Sequence, residues 1–190
     1  MKEMNLYRIR DLALGSGRAL YSIQQLANLV KKPKSVAKVY ASRLVKKGLA
    51  KRILRGKISF VDDDYVVASQ LLEPSYVSLS SALLFHAAIN QVPAFVESVT
   101  PKNSRRYEAL GVVYHKIPPS LFYGYEKYKK GGSYVFVADA EKALMDWVYL
   151  SPPSKSMITE LMGKLDKKKL AGYVARFRGR GRKKLERWLL

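Results

Sequence analysis

The chain contains no cysteine, which excludes disulfides, thiolate nucleophiles and zinc-thiolate fingers at once. Histidine is nearly as scarce. His86 and His115 are the only two, and neither belongs to a metal-ligand spacing such as H-E-x-x-H. His86 follows Leu83, Leu84 and Phe85, a setting that favours a hydrogen-bonded core histidine over a ligand. No G-x-x-x-x-G-K-[ST] or G-x-G-x-x-G phosphate cradle occurs. No Glu-x-Lys nuclease pair exists, and the one Asp-x-Lys, Asp166 and Lys168, lies in a lysine run. Gly15-Ser16 is not followed by the D-x-D pair of a nucleotidyltransferase, and Asp62-Asp-Asp64 lacks the preceding loop. A capping or linker role for Asp62 to Asp64 is preferred to Mg²⁺ binding. No enzyme, cofactor or metal site is expected.

Long hydrophobic runs are missing too. The longest uncharged stretch, Pro74 to Val96, holds four Ser, an Asn, a Gln and two Pro, a poor membrane span. Met1 to Arg10 has no signal-like apolar core. A soluble cytoplasmic protein that avoids membranes is therefore expected.

Acids are the other shortage. Lys and Arg number 35 against 15 acids, a formal charge of +20 over 190 residues. Charge of that size attracts polyanions. Its placement is uneven, with +10 in residues 1–65, +1 in 66–163 and +9 in 164–190. Two basic ends thus flank a nearly neutral middle. With 48% apolar residues the chain has enough to bury a core.

Asn5 to Leu14 carries Leu6, Ile9 and Ala13 at helical spacing, and Gly15-Ser-Gly17 ends it. Ala19 to Tyr21 reads as a short strand. Ser22 is an N-cap for a helix carrying Ile23, Leu26, Ala27 and Val30. Pro33 breaks that helix. A third helix runs from about Pro33 to Lys47 and stops at Gly48. Leu49 to Leu54, Arg55-Gly-Lys57 and Ile58 to Val61 read as a hairpin. Helix, short strand, helix, turn, helix, hairpin is the order of a winged helix-turn-helix, expected over residues 1–65.

From Lys31 to Lys57 there are eleven cations and no acid. On the third helix Ala37, Tyr40, Ala41 and Leu44 form one apolar stripe. Lys34, Ser35, Lys38, Val39, Ser42, Arg43 and Lys46 fall on the other side or its edges. That face suits a major groove, with Lys38 and Arg43 on guanine, Ser35 and Ser42 on bases or phosphates, and Val39 on a thymine methyl. Arg52, Arg55 and Lys57, with Lys51, lie on the hairpin, where a wing touches the DNA backbone.

Residues 66–190 read as a mixed α/β domain. A helix is expected from Ser78-Leu-Ser80 to about Asn90. Strands are expected over Phe95 to Thr100, Gly111 to Ile117, Tyr123 to Lys129 and Tyr134 to Val137, with a turn at Gly131-Gly132. Asp139 should cap a helix carrying Ala143, Leu144, Trp147 and Val148. Two basic helices close the chain, 164–190 forming a basic extension that contains the low-complexity run Arg178-Gly-Arg-Gly-Arg182. The fold class is α+β.

Four segments of this second part, in order, carry a family likeness. They are Tyr76-Val-Ser-Leu-Ser-Ser-Ala-Leu-Leu-Phe-His86, Gln91-Val-Pro93, Phe122-Tyr-Gly-Tyr-Glu126 and Val137-Ala-Asp-Ala-Glu-Lys-Ala-Leu-Met-Asp146. With the winged helix, residues 5–150 resemble the AbiE-type, or AbiEi-like, abortive-infection antitoxins and transcriptional regulators. The resemblance implies an autoregulating repressor acting at inverted repeats in its own promoter. It also implies an antitoxin paired with a nucleotidyltransferase-like toxin. Two copies on an inverted repeat would set their reading helices about 10 base pairs, or a multiple, apart. Two other readings stay open from the residues: an RNA-binding or ribosome-associated module using the basic tail, and a winged-helix adaptor that contacts protein.

Overall fold

The computed structural model describes residues 4–190 and has a mixed α+β architecture with two sheets. The chain divides into two compact units, one running up to Leu71 together with Lys129–Val135, the other comprising Leu72–Tyr128 and Phe136–Leu190. Among the described residues no helix is long and apolar enough to cross a membrane.

The first unit opens with α1 (Leu6–Gly15), capped by the Asn5 side chain. Strand β1 (Leu20–Ser22) leads directly into α2 (Ile23–Val30). Ser22 and Gln25 form a reciprocal capping box there, which satisfies two backbone donors that a helix start otherwise leaves open. Lys31, in the left-handed conformation, ends α2, and Pro33 precedes α3 (Lys34–Lys46). Strands β2 (Lys51–Leu54) and β3 (Lys57–Ser59) form the hairpin, with Gly56 at φ +78° in its turn. Lys57, expected in the turn, begins β3 instead. The sheet order is β1-β3-β2, antiparallel throughout.

The core of this unit joins Ile9 and Ala13 of α1, Leu26, Ala27 and Val30 of α2, and the α3 stripe to Tyr21 and Ile58. All four residues expected to form that stripe are buried. A fully buried Leu such as Leu44 contributes roughly 1.5–3 kcal/mol.

The expected boundary at residue 65 falls inside a helix. Asp63 caps α4 (Asp64–Leu71), its carboxylate accepting from the Val66 N–H at 3.0 Å. Asp62 to Asp64 therefore start a helix and do not form a linker. Val66 through Leu71 are all buried, so α4 has no polar face and hence no helical period to read. Gln70 explains why this helix belongs to the first unit. Its Oε1 accepts from the N–H groups of Ala19 and Leu20 at 3.0 and 3.1 Å. Its Nε2 donates to Ser133 Oγ and the Tyr134 carbonyl, both at 3.0 Å. Ser133 in turn donates to the Gly17 carbonyl.

The other sheet has six strands in the order β6-β7-β5-β4-β9-β8. These are β4 (Tyr76–Val77), β5 (Val96–Thr100), β6 (Arg105–Tyr107), β7 (Val112–Lys116), β8 (Tyr125–Lys130) and β9 (Ser133–Ala138). Pairing is parallel for β5/β7 and β4/β9, and antiparallel for β4/β5 and β6/β7. The two-residue β4 and three-residue β6 are too short to show alternation and were not expected. Helix α5 (Leu79–Phe85) ends well before the expected Asn90, because His86 and the positive-φ Ala87 terminate it.

Helix α6 (Ala140–Leu150) starts after Asp139, whose side chain makes no cap. That carboxylate accepts instead from the Tyr173 hydroxyl and pairs with Lys169 at 2.9 Å. Three helices close the chain where two were expected: α7 (Lys155–Lys164), α8 (Lys167–Arg176) and α9 (Arg182–Leu189). Leu170, Val174, Phe177, Leu185 and Leu189 are buried, so the basic extension is packed on apolar anchors. Asp166 caps α8 by accepting from the Lys168 and Lys169 N–H groups, a structural use of the Asp-x-Lys pair. Arg178 to Gly181 of the glycine-arginine run lie in the α8–α9 connection, and its Arg182 begins α9.

Within this unit lies a fully buried polar cluster. Lys142 and Asp146, one turn apart on α6, pair with neither side chain exposed. Asp146 also accepts from Tyr76 at 3.0 Å and Ser78 at 2.8 Å, and Lys142 donates to Tyr76 at 2.9 Å. Burial pushes the Lys142 ammonium down and the Asp146 carboxyl up from their ordinary values. Gly124, at φ +72°, lies so close that a Cβ there would stand 2.9 Å from Lys142 Cγ. His86 places Nε2 2.8 Å from the Ala138 carbonyl, so it is hydrogen-bonded as expected but only partly buried.

Candidate nucleic-acid interface

Helix α3 has one face committed to the core, which leaves the rest of its circumference to solvent. Lys34, Ser35, Lys38, Val39, Ser42, Arg43 and Lys46 are all exposed. Val39 is 48% exposed, an apolar side chain held out among cations. Lys34, Lys38 and Ser42 follow one another at i, i+4 and i+8, a single row along the helix.

That row forms one wall of an open cleft of about 500 Å³. The hairpin supplies the facing wall through Arg52, Arg55 and Lys57, and the start of α2 closes one end with Ser22 and Gln24. Six of the ten residues expected at an interface thus come together, and no acid lines the cleft. The other four, Ser35, Val39, Arg43 and Lys46, lie on α3 outside it. Ser22 and Gln24 were missed as site residues. Ser22 was legible as a cap, but its proximity to Arg55 depends on the β1–β3 pairing, which no local pattern reveals.

The cations are not equivalent. Arg52 and Arg55 are exposed. Lys57 is half-buried, and its ammonium donates to the Leu71 carbonyl at 2.6 Å. That contact satisfies a carbonyl at the end of α4, where the helix dipole favours a cation. Lys57 is therefore a structural tie with one of its three ammonium donors committed to that carbonyl, while it also lines the cleft. Lys51 pairs with Asp62 at 2.8 Å, a hydrogen bond and charge that raise its pKa.

No family model matches the chain, and no curated protein matches it.

Chemically, the cleft offers guanidinium and ammonium donors with two hydroxyls and no general base. Among the described residues no group of three or more His, Asp or Glu stands together as a metal site. Arrays of this kind bind phosphate oxygens and base edges through charge-assisted hydrogen bonds.

Proposed function

We propose that the protein is a sequence-specific, double-stranded-DNA-binding repressor whose first unit acts as a winged helix-turn-helix. In this reading α3 enters the major groove and the β2–β3 hairpin is the wing. The observation that carries it is the acid-free cleft joining Lys34, Lys38 and Ser42 to Arg52 and Arg55. A solvated helix face ordinarily mixes both signs, and this one does not. Lys38 and Arg43 read base edges, Val39 meets a thymine methyl, and Arg52 and Arg55 position the protein on phosphate.

The likeness of residues 5–150 to AbiE-type regulators supports a cytoplasmic autorepressor. By the same likeness, the partner is a nucleotidyltransferase-like toxin and the DNA target an inverted repeat in its own promoter.

Fluorescence polarisation of labelled upstream DNA, at about 150 mM salt where exposed charges are screened within roughly 8 Å, tests the reading. Binding should survive equal-length scrambled DNA and RNA competitors. Displacement by both competitors as effective as that by unlabelled upstream DNA would reduce the surface to a polyanion sink and overturn the proposal. Preferential displacement by RNA would favour an RNA-binding module instead.

A further inference from the structure

The second unit contains a cleft of about 420 Å³ between α7 and α9, within the size range of small-ligand sites, about 300–1,000 Å³. Its α7 wall presents Lys155, Ile158 and Thr159, and its α9 wall presents Arg187 and Trp188. Ile158 is buried and gives the cleft an apolar floor. Trp188 is only partly buried, and the Lys155 ammonium stands 6.0 Å from its ring centroid.

Two features mark this cleft as a place for an anion attached to a flat ring. No acid lines it. The sequence-adjacent acids are already engaged, Glu160 with Lys164 and Glu186 with Arg182, both at 2.7 Å. Lys155 is also the first residue of α7, so the partial positive charge of that helix end adds to the two cations. Trp188 supplies the second feature, an indole face beside the cations. Base–aromatic stacking joined to backbone cations is how single nucleotides are held without sequence readout.

We propose that the α7–α9 cleft binds a nucleotide unit, with its base stacked on Trp188 and its phosphate held by Lys155 and Arg187. The ligand is a free mononucleotide or one residue of a single strand. This site shares no residue with the α3 cleft and does not depend on the DNA-binding reading.

The test uses the full chain carrying Trp147→Phe, so that Trp188 is the only indole. Adenosine monophosphate, an eight-residue oligoadenylate and inorganic phosphate are titrated separately at about 150 mM salt. Saturable quenching of Trp188 emission is expected with the nucleotide, the oligonucleotide or both, and which of them acts identifies the source. Lys155→Ala with Arg187→Ala should raise the half-saturating concentration at least about tenfold, the range of lost charge-assisted contacts. Lys183→Ala, exposed and outside the cleft, should change it less than about twofold, since a lone surface charge at this salt is screened. Absence of quenching by both adenylates would overturn the proposal. So would inorganic phosphate displacing them as well as adenosine monophosphate does, because the ring would then contribute nothing. An equal loss in Lys183→Ala would also overturn it, by reducing the binding to diffuse charge.

Discussion

Lys142 and Asp146 face each other one turn apart on α6, and Tyr76 bonds to both of them from β4. Removing one ion from a buried pair strands the other, which costs about 3–5 kcal/mol. Lys142→Met should therefore lower the urea-unfolding free energy by about that much. The double variant Lys142→Met/Asp146→Leu should recover much of the loss, because paired desolvation is relieved. An unchanged unfolding midpoint in the single variant would show that the pair contributes nothing to stability.

Arg55 and Lys57 are close in sequence but differ in what they touch. Arg55→Ala should reduce the slope of log K against log salt for DNA binding by about 0.9. Lys57→Ala should leave that slope within about half of this change and instead lower stability by about 1–3 kcal/mol, through loss of a charged hydrogen bond to the Leu71 carbonyl. Equal slope changes in the two variants would return Lys57 to the phosphate contacts.

Gln70 uses both ends of its amide, with two accepted and two donated hydrogen bonds. Gln70→Leu leaves the Ala19 and Leu20 N–H groups without that acceptor, at about 1–3 kcal/mol for each buried group left unsatisfied. Hydrogen exchange at those two amides should accelerate in step with the loss of stability. Protection that persists would mean that β1 is held by its pairing with β3 alone.

Glu97 tests the acid side of the stability curve. Burial raises its pKa, but the hydrogen bond donated by Ser80 and the nearby His115 imidazole, whose Nε2 stands 3.4 Å from the carboxylate, outweigh that and lower it from its ordinary value. A carboxyl depressed in the folded state stabilises above its unfolded value and loses that contribution as pH falls through the folded value. The melting-temperature gap between the native chain and Glu97→Gln should thus be widest above about pH 5 and narrow progressively as pH falls below the ordinary glutamate range. A gap that stays constant across this range would rule out the ionised carboxylate as its source.

The reach of the sequence can be judged from particular elements. Helix α3 was readable residue by residue because Ala37, Tyr40, Ala41 and Leu44 form an apolar row at helical spacing opposite a face rich in cations. Helix α4 was not, since burial all round erases the contrast that a period needs. Lys142 and Asp146 carried a signal, an opposite-charge pair at i, i+4 among apolar neighbours, but such pairs are ordinarily solvent-facing. Their burial follows from β4, a two-residue strand with no pattern of its own. Similarly, the cations of the α3 cleft were countable in advance, whereas the diversion of Lys57 to Leu71 rests on a contact 14 residues away.

Val39 has a thermodynamic consequence. If its half-exposed side chain meets a thymine methyl only at the correct operator, apolar surface leaves water in that complex and not in a non-specific one. Apolar burial carries a negative heat-capacity change. Calorimetry across a temperature series should then find operator binding growing more exothermic on warming, while binding to random DNA, governed by released counterions, keeps a nearly flat enthalpy. Two kinds of complex formed by the same helix would become separable by their heat alone.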